Sequence, residues 1–224
     1  MDLYINRDIP TLTAFSATCH SECMSTIRNI CVYCGSGPGT DPHFVKAAHA
    51  FGAILAENDI GLVYGGGSVG LMGAVAASTL ARGGRVTGII PEFLSSKERP
   101  FTDAQELIVT RDMHERKRIM FERSDAFVAL PGGIGTLEEL VEQLTWAQLG
   151  RHKKPILAAN IGGFWDPLCA LLDHMRALAF IRSGLSVSLL VADRVEDILP
   201  KLQEAARPIA EAEKLMESGA AERM

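Results

Sequence analysis

Positive charge is scarce: 22 lysines and arginines face 27 aspartates and glutamates in 224 residues, a formal net charge of −5. Duplex nucleic acid and acidic membrane surfaces both call for a basic footprint, so neither is expected as a partner. No apolar run approaches the roughly 20 residues needed to cross a bilayer. The N-terminal stretch lacks the basic and apolar regions of a secretory signal. Five cysteines, an odd number, do not read as a disulfide framework, and reduced thiols in a cytoplasm fit better. The G-x-x-x-x-G-K-S/T pattern of a P-loop is missing, which argues against ATP hydrolysis of that kind.

Glycine, by contrast, is abundant and clustered. Most of the 21 fall at Gly35–Gly39, Gly65–Gly73, Gly83–Gly88 and Gly132–Gly135. Between these clusters run short apolar segments that read as strands buried on both faces: Asn29–Cys34, Ile60–Tyr64, Arg85–Ile90, Leu107–Thr110, Ala126–Leu130, Ile156–Ala159 and Val187–Val191. Helical spacing separates them. Asp41-Pro42 supplies an N-cap and a proline at the first helical position, and Asp166-Pro167 reads as a second such start. Regular strand–helix alternation predicts an α/β fold: a Rossmann-like, doubly wound parallel sheet of about seven strands in one domain. Its boundaries are set at 27–207. Residues 1–26 read as a loose arm, with Met24 a plausible upstream start, and 208–224 as a peripheral helix or tail.

Three glycine loops follow strands: CGSGPG after the first, YGGGSVG after the second and PGGIGT after the fifth. In a parallel sheet they share one edge, where ligands bind. Gly65 to Gly70 satisfies G-x-G-x-x-G, but in the second strand–helix turn rather than the first. No acidic residue ends the next strand, which argues against a dinucleotide. Pro131–Glu139 is more informative, because glycines before a helix leave N–H groups for an anion. Thr136-Leu137-Glu138-Glu139 also satisfies the capping box S/T-x-x-E, so Glu139 reads equally as a cap or as a carboxylate near a bound sugar. Upstream, Met113, Arg116, Lys117 and Met120 share one helix face, which places basic charge on an apolar stripe facing either a pocket or solvent. Cys31 and Cys34 lie along a strand at an odd offset, on opposite faces, which argues against redox or zinc chemistry. Cys19, His20 and Cys23 lack a second ligand pair.

PGGIGTLEE, with MHERK upstream and CGSG and YGGGSVGLMG nearer the N-terminus, resembles the LOG ("Lonely guy") family, in order and spacing from about Ile27 to Leu202. Those proteins are cytokinin riboside 5′-monophosphate phosphoribohydrolases, long labelled possible lysine decarboxylases. The resemblance implies Arg116 and Glu139 as the catalytic pair. It implies Ser36, Gly66, Met113, Lys117, Gly132, Gly133, Gly135 and Thr136 as phosphate- and nucleotide-binding positions, and a homodimer with contacts around Val141–Gln148 and Leu168–Leu178. Ile134 stands at a variable position of the motif.

The implied reaction splits the N-glycosidic bond of a nucleoside 5′-monophosphate into free base and ribose 5-phosphate. Its transition state resembles an oxocarbenium ion. Glycine N–H groups and Thr136 would fix the phosphate, Glu139 would stabilise the sugar cation or help activate water, and Arg116 would orient it. No cofactor or metal is implied. A decarboxylase would use pyridoxal phosphate on a lysine, and only Lys117 fits that formally. The alternatives are a broader nucleotide 5′-monophosphate nucleosidase acting on AMP and a non-catalytic nucleotide- or cofactor-binding carrier module. Retention of both Arg116 and Glu139 favours an enzyme.

Overall fold

Every residue of Gly61–Tyr64, Ala126–Ala129 and Ile156–Ala159 is buried, as strands covered by helices on both faces must be. The computed structural model describes residues 27–95, 100–181 and 189–207. Seven strands appear in it: β1 (Asn29–Tyr33), β2 (Gly61–Tyr64), β3 (Val86–Pro91), β4 (Glu106–Thr110), β5 (Ala126–Ala129), β6 (Ile156–Ala159) and β7 (Leu189–Ala192). All pair in parallel, in the order β4-β3-β2-β1-β5-β6-β7. The expected Rossmann-like sheet is therefore present. The connections run outward from β1 on one side and from β5 on the other. The loops after these two strands diverge and open a crevice at the switch point.

Six α-helices fill the connections: α1 (Pro42–Glu57), α2 (Gly70–Ala81), α3 (Glu92–Ser95), α4 (Met113–Glu122), α5 (Ile134–Gln148) and α6 (Asp166–Ala177). Residues 198–207 are helical as well. On one face of the sheet α1, α2 and Ile198, Leu199 and Leu202 bury Ile30, Val32, Leu62 and Val128. On the other, Met120 of α4 and Leu140 and Leu144 of α5 bury Cys31, Val63, Phe127 and Ala129. Cys31 and Cys34 fall in these opposite layers, as the two-residue period requires. No described helix is long and apolar enough to cross a membrane.

Asp41 caps α1 as expected, its carboxylate accepting from the His43 N–H at 2.8 Å, with Pro42 at the first helical position. Two other caps differ from the sequence reading. Helix α5 begins at Ile134 with Gly133 as N-cap and no side-chain cap. Thr136 is thus already inside the helix, and Glu139 lies too far along to return to the cap N–H, so the capping box does not form. Asp166 is the first residue of α6 rather than its N-cap, which is Trp165. The Asp166 carboxylate accepts instead from Asn160 Nδ2 at 2.9 Å. The proposed arm 1–26, the tail 208–224 and Val187 lie outside the described residues.

Candidate active site

The loop after β1 is stitched to both neighbouring glycine loops. Gly35 N–H donates to the Pro131 carbonyl at 3.1 Å, and the Gly35 carbonyl accepts from Leu71 N–H at 3.0 Å. Gly70, at φ +61°, lies so close to the Ser36 backbone that a Cβ there would collide with it. The start of α2 is therefore occupied by protein, and the G-x-G-x-x-G turn is a packing device, not a pyrophosphate seat. Helix α5 differs. The Leu137 N–H bonds the Gly133 carbonyl at 3.0 Å, so the N–H groups of Ile134, Gly135 and Thr136 precede the intrahelical ladder. Together with the helix dipole, they make an arrangement able to hold an anion.

Arg116 reaches this place from α4. Asp112 caps that helix, accepting from Glu115 N–H at 2.8 Å, which sets Arg116 one turn in, over the end of β3. The side chain is 6% exposed as a residue, its Nε donating to the Ile89 carbonyl at 3.0 Å and its Nη2 to the Gly65 carbonyl at 3.3 Å. Nη1 stands 3.7 Å from Glu139 Oε1, and Glu139 is itself 9% exposed. In so dry a setting the attraction is weakly screened, and loss of either partner strands a buried charge. Gly65 makes room for the guanidinium: a Cβ there would run into Nη2.

These groups line a cleft of about 280 Å³ at the sheet's carboxyl edge. It brings together Ser36, Arg116, Gly133, Gly135, Thr136 and Glu139. Four further positions from the motif match lie elsewhere. Gly132 lines an adjoining cavity of about 260 Å³ with Phe44, Phe164 and Leu71. Gly66 is buried in its turn, its carbonyl accepting from Phe101 N–H at 2.9 Å. Met113 backs the arginine, its Sδ 3.8 Å from Nη1. Lys117 points away to α5, 2.7 Å from Glu138 Oε1 and 2.9 Å from Glu142 Oε1.

Tyr33, Cys34, Gly65, Met72 and Ile134 also line the cleft and were not singled out as site residues from the sequence. Their common signal is position at or just beyond the end of a strand or in the first turn of a helix. Burial, and then neighbouring negative charge, pushes the Tyr33 phenol and the Cys34 thiol up. Both are held neutral at ordinary pH, so Cys34 is not a ready nucleophile. The arrangement combines the free N–H groups at the start of α5, a buried cation and a buried carboxylate within one small cleft.

A family model described as "Possible lysine decarboxylase" matches residues 72–202. Among curated proteins, the cytokinin riboside 5′-monophosphate phosphoribohydrolase LOG of Oryza sativa subsp. japonica is 44% identical over 183 residues, 82% of this chain and 76% of the relative. The cytokinin riboside 5′-monophosphate phosphoribohydrolase LOG7 of Arabidopsis thaliana is 42% identical over 183 residues, 82% of this chain and 84% of the relative. Among solved structures, the molybdenum cofactor binding protein of Rippkaea orientalis aligns at a TM-score of 0.60 and 24% identity, covering 79% of this chain and 95% of that one. The last likeness bears on the fold.

Proposed function

The chain belongs to the LOG family of cytokinin riboside 5′-monophosphate phosphoribohydrolases, and on that footing we propose that it hydrolyses the N-glycosidic bond of a nucleoside 5′-monophosphate carrying N6-prenyladenine, releasing the free base and ribose 5-phosphate. The observation that carries this reading is the buried Arg116–Glu139 pair beside the uncapped start of α5. The substrate phosphate sits on the N–H groups of Gly135 and Thr136, at the positive end of the helix. This anchors the ribose with its anomeric carbon toward Glu139. As the bond to the base lengthens, positive charge grows on the sugar, and the Glu139 carboxylate stabilises it and takes a proton from the attacking water, while the departing base nitrogen takes up a proton from solvent and leaves neutral. Arg116, fixed by two backbone carbonyls, holds that carboxylate and meets the phosphate or sugar hydroxyls with its remaining N–H groups.

Incubation with isopentenyladenosine monophosphate and, separately, with AMP tests the reading. Free base and ribose 5-phosphate should appear in equal amounts from the prenylated substrate. Faster turnover of AMP would instead favour a broader nucleosidase. The setting is taken to be cytoplasmic, in keeping with the free thiols of Cys31, Cys34 and Cys169.

The working unit is read as a homodimer. Helix α6 has no buried residue in the single chain. Leu171 and Met175 of α6 and Leu178 just after it are exposed, as is Val141 of α5, an apolar surface of the kind that marks an interface. Light scattering at about 10 µM is expected to give twice the chain mass, and Leu171→Asp to shift the particle toward a monomer, since buried unpaired charge is costly. A monomeric wild type would overturn this.

A further inference from the structure

Arg116 and Lys117 are consecutive on α4, yet they do different things. Arg116 turns down into the cleft, whereas Lys117 turns across to α5 and is 12% exposed at its side chain. Its ammonium is gripped by Glu138 Oε1 at 2.7 Å and Glu142 Oε1 at 2.9 Å, one helical turn apart. Glu138 directly precedes Glu139. Two neighbouring residues of α4 thus contact one stretch of α5, and the outer contact brackets the inner one. The Glu138 contact is half exposed and worth little by itself, whereas the Glu142 contact is largely buried. Glu142 Oε2 is buried and takes no hydrogen bond, so loss of the lysine would leave that carboxylate desolvated and uncompensated. A hydrogen bond to each carboxylate also engages the amine, which leaves it turned from the anion seat.

We propose that Lys117 is a positioning residue: its ammonium, clamped between Glu138 and Glu142, fixes α4 against α5 and so sets the placing of Arg116 against Glu139. The proposal rests on the hydrolase reading above. Displacement of a catalytic pair by about 1 Å costs on the order of 100-fold in rate, and a two-point clamp on the helices that carry the pair guards against such displacement. A phosphate ligand would show itself in binding, a positioning residue in turnover.

The test compares wild type with Lys117→Met, Lys117→Arg and Glu138→Gln/Glu142→Gln, the last serving also if the methionine variant does not fold. Four quantities are read: kcat and KM with isopentenyladenosine monophosphate, the affinity for ribose 5-phosphate by calorimetry, and the water-exchange rate of the Arg116 Nε–H by NMR. Lys117→Met and the double variant should lower kcat by about tenfold or more, with KM and ribose 5-phosphate affinity changed by less than about threefold. Lys117→Arg should recover most of kcat. The Arg116 Nε–H, sheltered against the Ile89 carbonyl, should exchange about tenfold faster in both disabled variants, because the guanidinium is no longer held. If kcat stays within about twofold, or ribose 5-phosphate binding falls by about tenfold with kcat intact, Lys117 is not a positioning residue. A wild type that cleaves no nucleoside monophosphate defeats the hydrolase reading instead, and the exchange measurement then decides the clamp alone: an unchanged rate overturns it.

Discussion

Glu139→Gln is expected to keep the fold, at some cost in stability because the buried Arg116 loses its counter-charge, and to lose turnover by two to three orders of magnitude. The substitution preserves shape and one acceptor oxygen and removes only the charge. If Glu139 served as a helix cap, its loss would cost about 0.5–2 kcal/mol of stability and little activity. That role is closed to it, because α5 starts at Ile134 and no side chain caps the helix. What remains is a carboxylate in the cleft, 3.7 Å from a buried guanidinium. Preorganised charge facing a developing charge is worth roughly 3–4 kcal/mol in such a setting, hence the size of the expected loss. Paired measurements of kcat on isopentenyladenosine monophosphate and of melting temperature check it. Near wild-type kcat in a folded Glu139→Gln protein would remove the carboxylate from the mechanism.

Arg116→Ala should fail in a second way, losing stability as well as activity. The guanidinium fills the space beside Gly65, donates to the Ile89 and Gly65 carbonyls and faces Glu139. Alanine leaves two buried carbonyls with a donor missing, a cavity and a buried carboxylate without its cation. Breaking a buried pair from one side costs about 3–5 kcal/mol, so the urea midpoint should fall markedly alongside an undetectable kcat. Arg116→Lys should rescue little, since one ammonium cannot reproduce the fork that meets three partners at once. Gly65→Ala is a subtler version: its Cβ would occupy the place of Nη2, displacing the arginine without deleting it. Retention of wild-type kcat in Arg116→Ala would contradict the assignment.

Where residues are read by local period, sequence and structure agree closely. Ile156–Ala159 is a strand with the same limits in both, and β1, β2 and β5 shift by at most one residue at an end. The opposite burial of Cys31 and Cys34 followed from the period of two alone. Helix starts were harder. T-x-x-E is satisfied as readily inside a first turn as at a cap, and Gly133 ends the loop with backbone alone. Lys117 shows the same limit: spacing placed it on the face of Arg116, but α5's Glu138 and Glu142, whose positions depend on tertiary packing, decide where its amine goes. Tyr33 and Cys34 join the site only because β1 pairs with β5, with Tyr33 opposite Ala129. No local pattern announces a contact between segments so far apart in the chain.

In the proposed reaction this cleft splits a base from a sugar phosphate with water. Product analysis in heavy-oxygen water tests it most directly. With isopentenyladenosine monophosphate and wild-type protein, free prenyladenine and ribose 5-phosphate are expected in equal amounts. The heavy oxygen should be found at the sugar's anomeric carbon in products quenched before exchange, and Glu139→Gln should release both products two to three orders of magnitude more slowly. Release of inorganic phosphate and intact nucleoside, or no release of base at all, would contradict it.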